Sequence, residues 1–311
     1  MEIFLFITVG VAVLLAAAYV GMPYMLAGML TRVPRVKIPK NPGDYGLNYK
    51  NVEFKASDGV TLRGWHIPGK GDRVAVIVHV GNMTKYGLHV AGFPNKAMAL
   101  YDRDIEYLKF AKGLNANGYD VILFDLRNFG DSDAANNGIN TYGQEESKDI
   151  IACLNFVKND PTLAGKKVGI VGFCYGGTTT TVAMGREPKA FERVKAFVFV
   201  QPTDESVAKG MNPVMKMLFP GVKRAMRTRF NVDVGATQDN FEIYKKIVAP
   251  TLLVQSRYDQ WADLDRIKKA YASIPEPKEI LWLEGGTHRF DAYKYFEDHH
   301  DDVLKWFDKW M

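Results

Sequence analysis

Val168-Gly-Ile-Val-Gly-Phe-Cys-Tyr-Gly-Gly177 is the stretch on which the reading of the fold turns. Its first four residues form an apolar run typical of a strand covered on both faces. Gly172-Phe-Cys174-Tyr-Gly176 follows, and a helical pattern begins near Tyr175. A side chain on so tight a strand-to-helix turn is thrust out at the carboxyl end of a sheet. Glycines two residues to either side let the chain segments approach closely enough for that turn. The helix N-terminus behind Cys174 favours a thiolate, and its first amide, that of Tyr175, can hold an oxyanion. A glycine-rich turn around a small core cysteine is the plainer alternative. The strand before it and the helix after it favour the chemical one.

Downstream, two residues stand just beyond apolar runs. Thr251-Leu-Leu-Val254 leads to Asp259, and Ile280-Leu-Trp-Leu283 leads to His288. Both are expected at strand carboxyl ends, on the same rim as Cys174. The chain order is nucleophile, acid, histidine, so a Cys174–His288–Asp259 triad is expected. Asp263 and Asp265 lie close by, which leaves the acid as Asp259 or Asp263. Upstream, 51–56 and 60–67 alternate around Asp58-Gly59 and predict a β-hairpin. Val74–Val78, Val121–Phe124 and Ala196–Val200 read as strands. Helices are expected over about 98–117, 142–159 and 292–310. Strands alternating with helices imply an α/β fold, a mainly parallel sheet with helices on both faces and antiparallel strands at one edge. Residues 205–245 break the alternation. Such a length between two strands predicts an inserted cap.

These segments together resemble an α/β-hydrolase fold over roughly 45–311. Phe124-Asp-Leu-Arg-Asn-Phe-Gly-Asp-Ser132 is similar to that family's D-x-R-x-x-G-x-S turn. His79-Val80-Gly81-Asn82 resembles its H-G segment, which supplies the second oxyanion amide; valine stands where glycine is usual, so the amide is that of Gly81 or Asn82. The elbow with cysteine in place of serine looks like those of dienelactone hydrolases and polyhydroxyalkanoate synthases. The glutamate and the long extra N-terminal domain that mark those two groups are not evident. The resemblance implies an enzyme that cleaves a small-molecule ester or thioester through an acyl-enzyme, without a cofactor. An acyltransferase or polyester synthase would use the same triad. A non-catalytic, membrane-tethered binding protein is the rival of another class.

Composition bounds the rest. The 311 residues are 47% hydrophobic and carry a net charge of +5, too mild to announce a nucleic-acid partner. Two cysteines make neither a disulfide framework nor a four-cysteine zinc site. No histidine, cysteine or aspartate cluster has metal-ligand spacing, and no glycine-rich loop resembles a dinucleotide cradle. Ile3 to Leu30 holds no formal charge, and a spanning helix needs roughly 20 residues. The expected organisation is therefore a transmembrane anchor over 1–31, kinked or ended at Pro23, a linker over 32–49, and the catalytic domain over 50–311. Arg32, Arg35, Lys37 and Lys40 follow the span, which places that domain in the cytoplasm. Between Glu205 and Phe230, six cations (Lys209, Lys216, Lys223, Arg224, Arg227, Arg229) alternate with methionines. They form a solvated face, or one that lies on anionic membrane lipid.

Overall fold

The apolar run through Val168 lies at the middle of the molecule. In chain order the strands are β1 (Lys50–Lys55), β2 (Thr61–Ile67), β3 (Arg73–Val78), β4 (Gly87–Leu88), β5 (Ile105–Glu106), β6 (Asp120–Phe124), β7 (Lys167–Phe173), β8 (Val194–Val200), β9 (Thr251–Ser256) and β10 (Lys278–Leu283). The helices are α1 (Glu2–Thr31), α2 (Tyr107–Ala116), α3 (Ser147–Asn159), α4 (Tyr175–Arg186), α5 (Pro213–Phe230), α6 (Val234–Gln238), α7 (Leu264–Ser273), α8 (Asp291–Lys294) and α9 (Asp301–Trp310). The structure is a computed structural model that describes residues 2–32, 34–203, 213–238 and 241–311; within α1 its described side chains are Phe4, Ile7, Thr8 and those from Tyr19 onward.

Eight of the described strands form one sheet in the order β1-β2-β6-β3-β7-β8-β9-β10. The β1–β2 and β2–β6 pairs are antiparallel and the others parallel. The hairpin at one edge and the parallel body both match the sequence expectation.

Strand alternation explains how both faces of β7 come to be covered. On one face a Cβ at Gly169 would strike the Phe307 ring of α9, and Phe173 stacks on Tyr107 of α2 at 4.7 Å. On the other face a Cβ at Gly172 would lie 2.6 Å from the Gly177 Cα of α4. Only glycine at 172 lets α4 come that close, and this contact shapes the elbow.

Three expected helices are shorter than the pattern suggested. The 98–117 segment is helical only as α2, because Leu100 adopts φ 61 and breaks the turn before it. The 142–159 segment starts as α3 at Ser147, after Tyr142 at φ 55 and Gly143 at φ 95. The 292–310 segment is interrupted around Asp298 and splits into α8 and α9. The cap is represented by α5, α6 and a 3-10 turn at Phe241–Lys246; 204–212 and 239–240 lie outside the described residues.

The 32–49 segment lies on the domain. Arg35 donates to the carbonyls of Gly130 (2.9 Å) and Ser132 (2.6 Å), and Val36 is buried. Pro23 lies inside α1 and does not end it. Among the described residues no helix is long and apolar enough to cross a membrane.

Candidate active site

Cys174 occupies the residue between β7 and α4 with φ 50 and ψ −109, a backbone conformation that L-residues rarely adopt. Its surroundings hold it there. The Cys174 amide donates to Val200 O (2.7 Å), and Thr178 N donates back to Cys174 O (3.0 Å). A Cβ at Gly176 would lie 2.5 Å from Val78 O, so α4 rests directly on the end of β3. The thiol is 8% exposed and donates to Thr203 Oγ1 at 3.9 Å. Cys153 is fully enclosed on α3, and burial pushes its thiol well above the usual range.

The two oxyanion candidates lie on the loop after β3. Gly81 packs on the Tyr175 side chain, where a Cβ would meet Tyr175 Cγ at 3.2 Å. The Asn82 amide group donates to Ala99 O (3.2 Å). His79 pins this loop. Its Nε2 accepts from Leu126 N (3.0 Å), so the proton sits on Nδ1, which donates to Val80 O (2.7 Å). Complete burial keeps that imidazole's pKa below its ordinary value and the ring neutral. His79 thus ties the loop after β3 to the turn after β6. There Asp125 accepts from Lys85 N (2.7 Å), Lys85 Nζ (2.6 Å) and Asp131 N (2.9 Å).

Asp259 and His288 both reach the expected rim, but they are not joined to each other. Asp259 Oδ1 accepts from Trp261 N (2.9 Å), and Oδ2 accepts from Gln255 Nε2 (3.1 Å) and from Arg289 Nη1. Arg289 is buried. Its remaining donors go to Tyr293 OH (2.7 Å), Pro202 O (3.2 Å) and Gln201 O. Burial opposes the Arg289 charge, yet Tyr293, Asp259 and the Cys174 thiol beside it hold its pKa above the ordinary value. The guanidinium therefore sits next to the thiol, where His288 was expected.

His288 turns outward. Its ring stacks on Tyr101 at 5.0 Å and meets the Trp261 and Phe290 rings edge-on. Its Nδ1 accepts from Phe290 N (3.1 Å), which leaves the proton of the neutral ring on Nε2. A triad base needs the reverse, with Nδ1–H toward the acid and a bare Nε2 toward the nucleophile. Burial lowers the His288 pKa, partly offset by Asp291, Asp102 and Asp259. Asp263, the alternative acid, caps α7 by accepting from Asp265 N (3.0 Å). Arg289 and Tyr293 escaped the sequence reading. Their spacing of four residues is a faint signal, and which of two neighbouring loop residues faces inward is not written in composition or periodicity.

Residues 90–246, half of the chain, match the family described as the alpha/beta hydrolase fold. The chain belongs to that family. The matched segment contains Cys174 and Tyr175 and ends before Asp259 and His288. An uncharacterised Escherichia coli K12 protein, YfhR, is 24% identical over 91% of this chain and 89% of its own. The polyketide transferase grgF of a Penicillium species is 28% identical over 58% of this chain and 52% of its own. Among solved structures, the Pyrococcus furiosus esterase Pf2001 superposes with a TM-score of 0.67 at 20% identity, covering 90% of this chain and 98% of that one.

Proposed function

We propose that this protein is a membrane-anchored hydrolase that cleaves an ester or thioester through an acyl-enzyme on Cys174. The observation that carries this reading is the Cys174 backbone at φ 50 and ψ −109, held by glycine contacts that admit no side chain. Strain of this kind costs about 1–3 kcal/mol and clusters where a reactive group must be presented. The thiolate attacks the acyl carbonyl. The amides of Tyr175 and of Gly81 or Asn82 receive the oxyanion. His288 acts as base and then as acid, and water releases the acyl group. For this His288 must exchange places with Arg289 beside Asp259, a rotation of the loop after β10. Gly285 at φ 90 and Gly286 at φ 80 give that loop freedom that other residues lack. The esterase fold match and the family support the reaction class.

The test is acylation itself. Incubation with a p-nitrophenyl ester should add one acyl mass to the protein. Cys174→Ala should show neither adduct nor turnover, while Cys153→Ala keeps both. Cys174→Ser should lose most activity, since a hydroxyl is far harder to ionise. Near-normal turnover by Cys174→Ala would sink the mechanism. A second reading, acyl transfer, is favoured by the relative named as a polyketide transferase. Added thiols or alcohols should then capture the acyl group in preference to water.

The anchor belongs to the same proposal. It is supported by the uncharged stretch Ile3–Leu30 and by exposed apolar side chains along α1, among them Phe4, Ile7, Val20, Met25 and Met29. With Arg32, Arg35, Lys37 and Lys40 following the span, the catalytic domain is cytoplasmic. A protease added outside intact cells should therefore leave the domain whole; digestion from outside would overturn the orientation.

A further inference from the structure

The cap helix and the end of the anchor are packed as one pair. On α1, Pro23, Ala27 and Thr31 form a buried stripe at four-residue spacing. On α5, Leu218, Val222, Ala225 and Met226 face it. The helices run parallel. A Cβ at Gly221 would lie 3.0 Å from Pro23 Cγ, and one at Gly28 would lie 3.6 Å from the Phe230 ring. Toward the N-terminal ends of both helices the contact opens into a crevice of about 350 Å³. Tyr19, Val20 and Tyr24 line one side, Met217 and Leu218 the other, and Arg224 stands at the rim. Tyr19, Val20 and Met217 are each more than half exposed, a concentration of wet apolar surface that a soluble face avoids.

Polarity along α5 is graded. Its residues from Pro213 to Phe219 include one cation, Lys216; those from Gly221 to Phe230 include Lys223, Arg224, Arg227 and Arg229. The helix carries no carboxylate, and the only acid on α1 is Glu2 at its far end. The apolar crevice therefore points toward the span, while the cations gather at the level where α1 meets Arg32 and the domain. An anionic lipid has the same order along its axis, an acyl chain followed by a phosphate.

We infer that this crevice seats an anionic glycerophospholipid of the cytoplasmic leaflet, with an acyl chain between Val20 and Met217 and its phosphate on Arg224. The inference rests on the anchored reading above. Arg224 offers a planar fork suited to a phosphate. The lipid covers apolar surface that the protein leaves open and fixes the cap against the anchor.

Photo-cross-linking of the full-length protein in phosphatidylcholine nanodiscs tests this. A trace of diazirine-bearing phosphatidylglycerol, or the matching phosphatidylcholine probe, is added, and labelled peptides are mapped. The phosphatidylglycerol probe should label the α1 and α5 peptides at least several-fold more than its zwitterionic counterpart. Arg224→Gln should bring the two to the same level, with an unchanged melting temperature, because the side chain is exposed. Val20→Trp, which fills the crevice, should lower labelling by both probes. Equal labelling by the two probes in the wild type would make the crevice a plain lipid-facing wall and overturn the site. Labelling unaffected by Arg224→Gln would overturn it as well. A protein that alkaline carbonate strips from membranes, and that does not enter nanodiscs, would refute the anchor first and this site with it.

Discussion

Replacing Arg289 by methionine should cost the fold dearly, and the structure says how much. Both charges of the Arg289–Asp259 pair are buried, with side-chain exposures of 1% and 0%. Methionine keeps most of the volume but, among the described residues, leaves the Asp259 carboxylate with only Gln255 Nε2 and Trp261 N as donors. Gln201 O and Pro202 O lose donors as well. Breaking a buried pair by removing one partner costs about 3–5 kcal/mol. At roughly 2 °C per kcal/mol for a chain of this size, the melting temperature should fall by about 6–10 °C. Asp259→Asn alone should fall by a similar amount, because it strands the guanidinium. Combining the two changes should recover much of the loss, since neither charge is then orphaned. Differential scanning calorimetry in detergent, at fixed pH and lipid content, provides the cycle. An Arg289→Met protein that melts within a degree or so of wild type, or a double variant whose losses simply add, would refute the pairing. The same variants separate structure from catalysis. If Asp259 orients His288 during turnover, Asp259→Asn should lower kcat by about 10⁴-fold. Arg289→Met, which frees Asp259 for His288, should not.

Three further outcomes follow from other parts of the molecule. Burial lowers the His288 pKa, so the acid limb of the kcat/KM profile should fall below the free imidazole value of about 6.5, and His288→Gln should abolish that limb; the same shift stabilises the fold above that value, a contribution lost as pH falls through the lowered pKa. A Cβ at Gly177 would lie 2.2 Å from the Phe199 ring, so Gly177→Ala should cost about 1–3 kcal/mol by overpacking and reduce acylation of Cys174; a melting curve coincident with wild type would contradict the contact. Iodoacetamide should alkylate Cys174 well before Cys153, whose thiol is enclosed and pushed up by burial, as peptide mapping would read directly.

What the sequence revealed, and what it hid, divides along the range of the interactions involved. The elbow was legible because its determinants are local: an apolar run, a helix start, and glycines at 172 and 176 that no other residue can replace. The sheet was legible because its parallel strands carry short apolar runs bounded by turn residues, and its hairpin alternates around Asp58-Gly59. Helix starts were misread where one left-handed residue, Leu100 or Tyr142, overrides a good helical pattern. The pairing of Asp259 was hidden for a related reason. Two glycines with positive φ precede His288, and they rotate the loop so that Arg289, one residue on, takes the inward position. Residue type and order named the rim correctly; the choice of partner depends on a backbone rotation that no pattern of side chains announces. The packing of α1 on α5 joins residues some 200 positions apart and leaves no trace in either segment alone.

That packing ties α1 to the rest of the domain. A tether joined by a loose linker would only raise the local concentration of the domain at a surface. Here the end of α1 is bonded into the domain. Asn140 N donates to Thr31 O (2.7 Å), and Tyr142 OH donates to Leu30 O (3.2 Å). Asn140 Oδ1 in turn accepts from Tyr175 OH (2.7 Å), on the residue next to Cys174. Arg35 then fastens the following segment to the turn after β6, the same turn that His79 ties to the loop after β3. A single asparagine thus bridges the last turn of α1 and the first residue of α4. With α5 packed along α1, and Ile139 and Tyr142 against the same apolar cluster, the elbow, the cap helix and α1 are joined. On the anchored reading, Cys174 is held at a set height above the lipid with its cap already docked on the span. The geometry suits an acyl substrate that arrives along the membrane rather than from water.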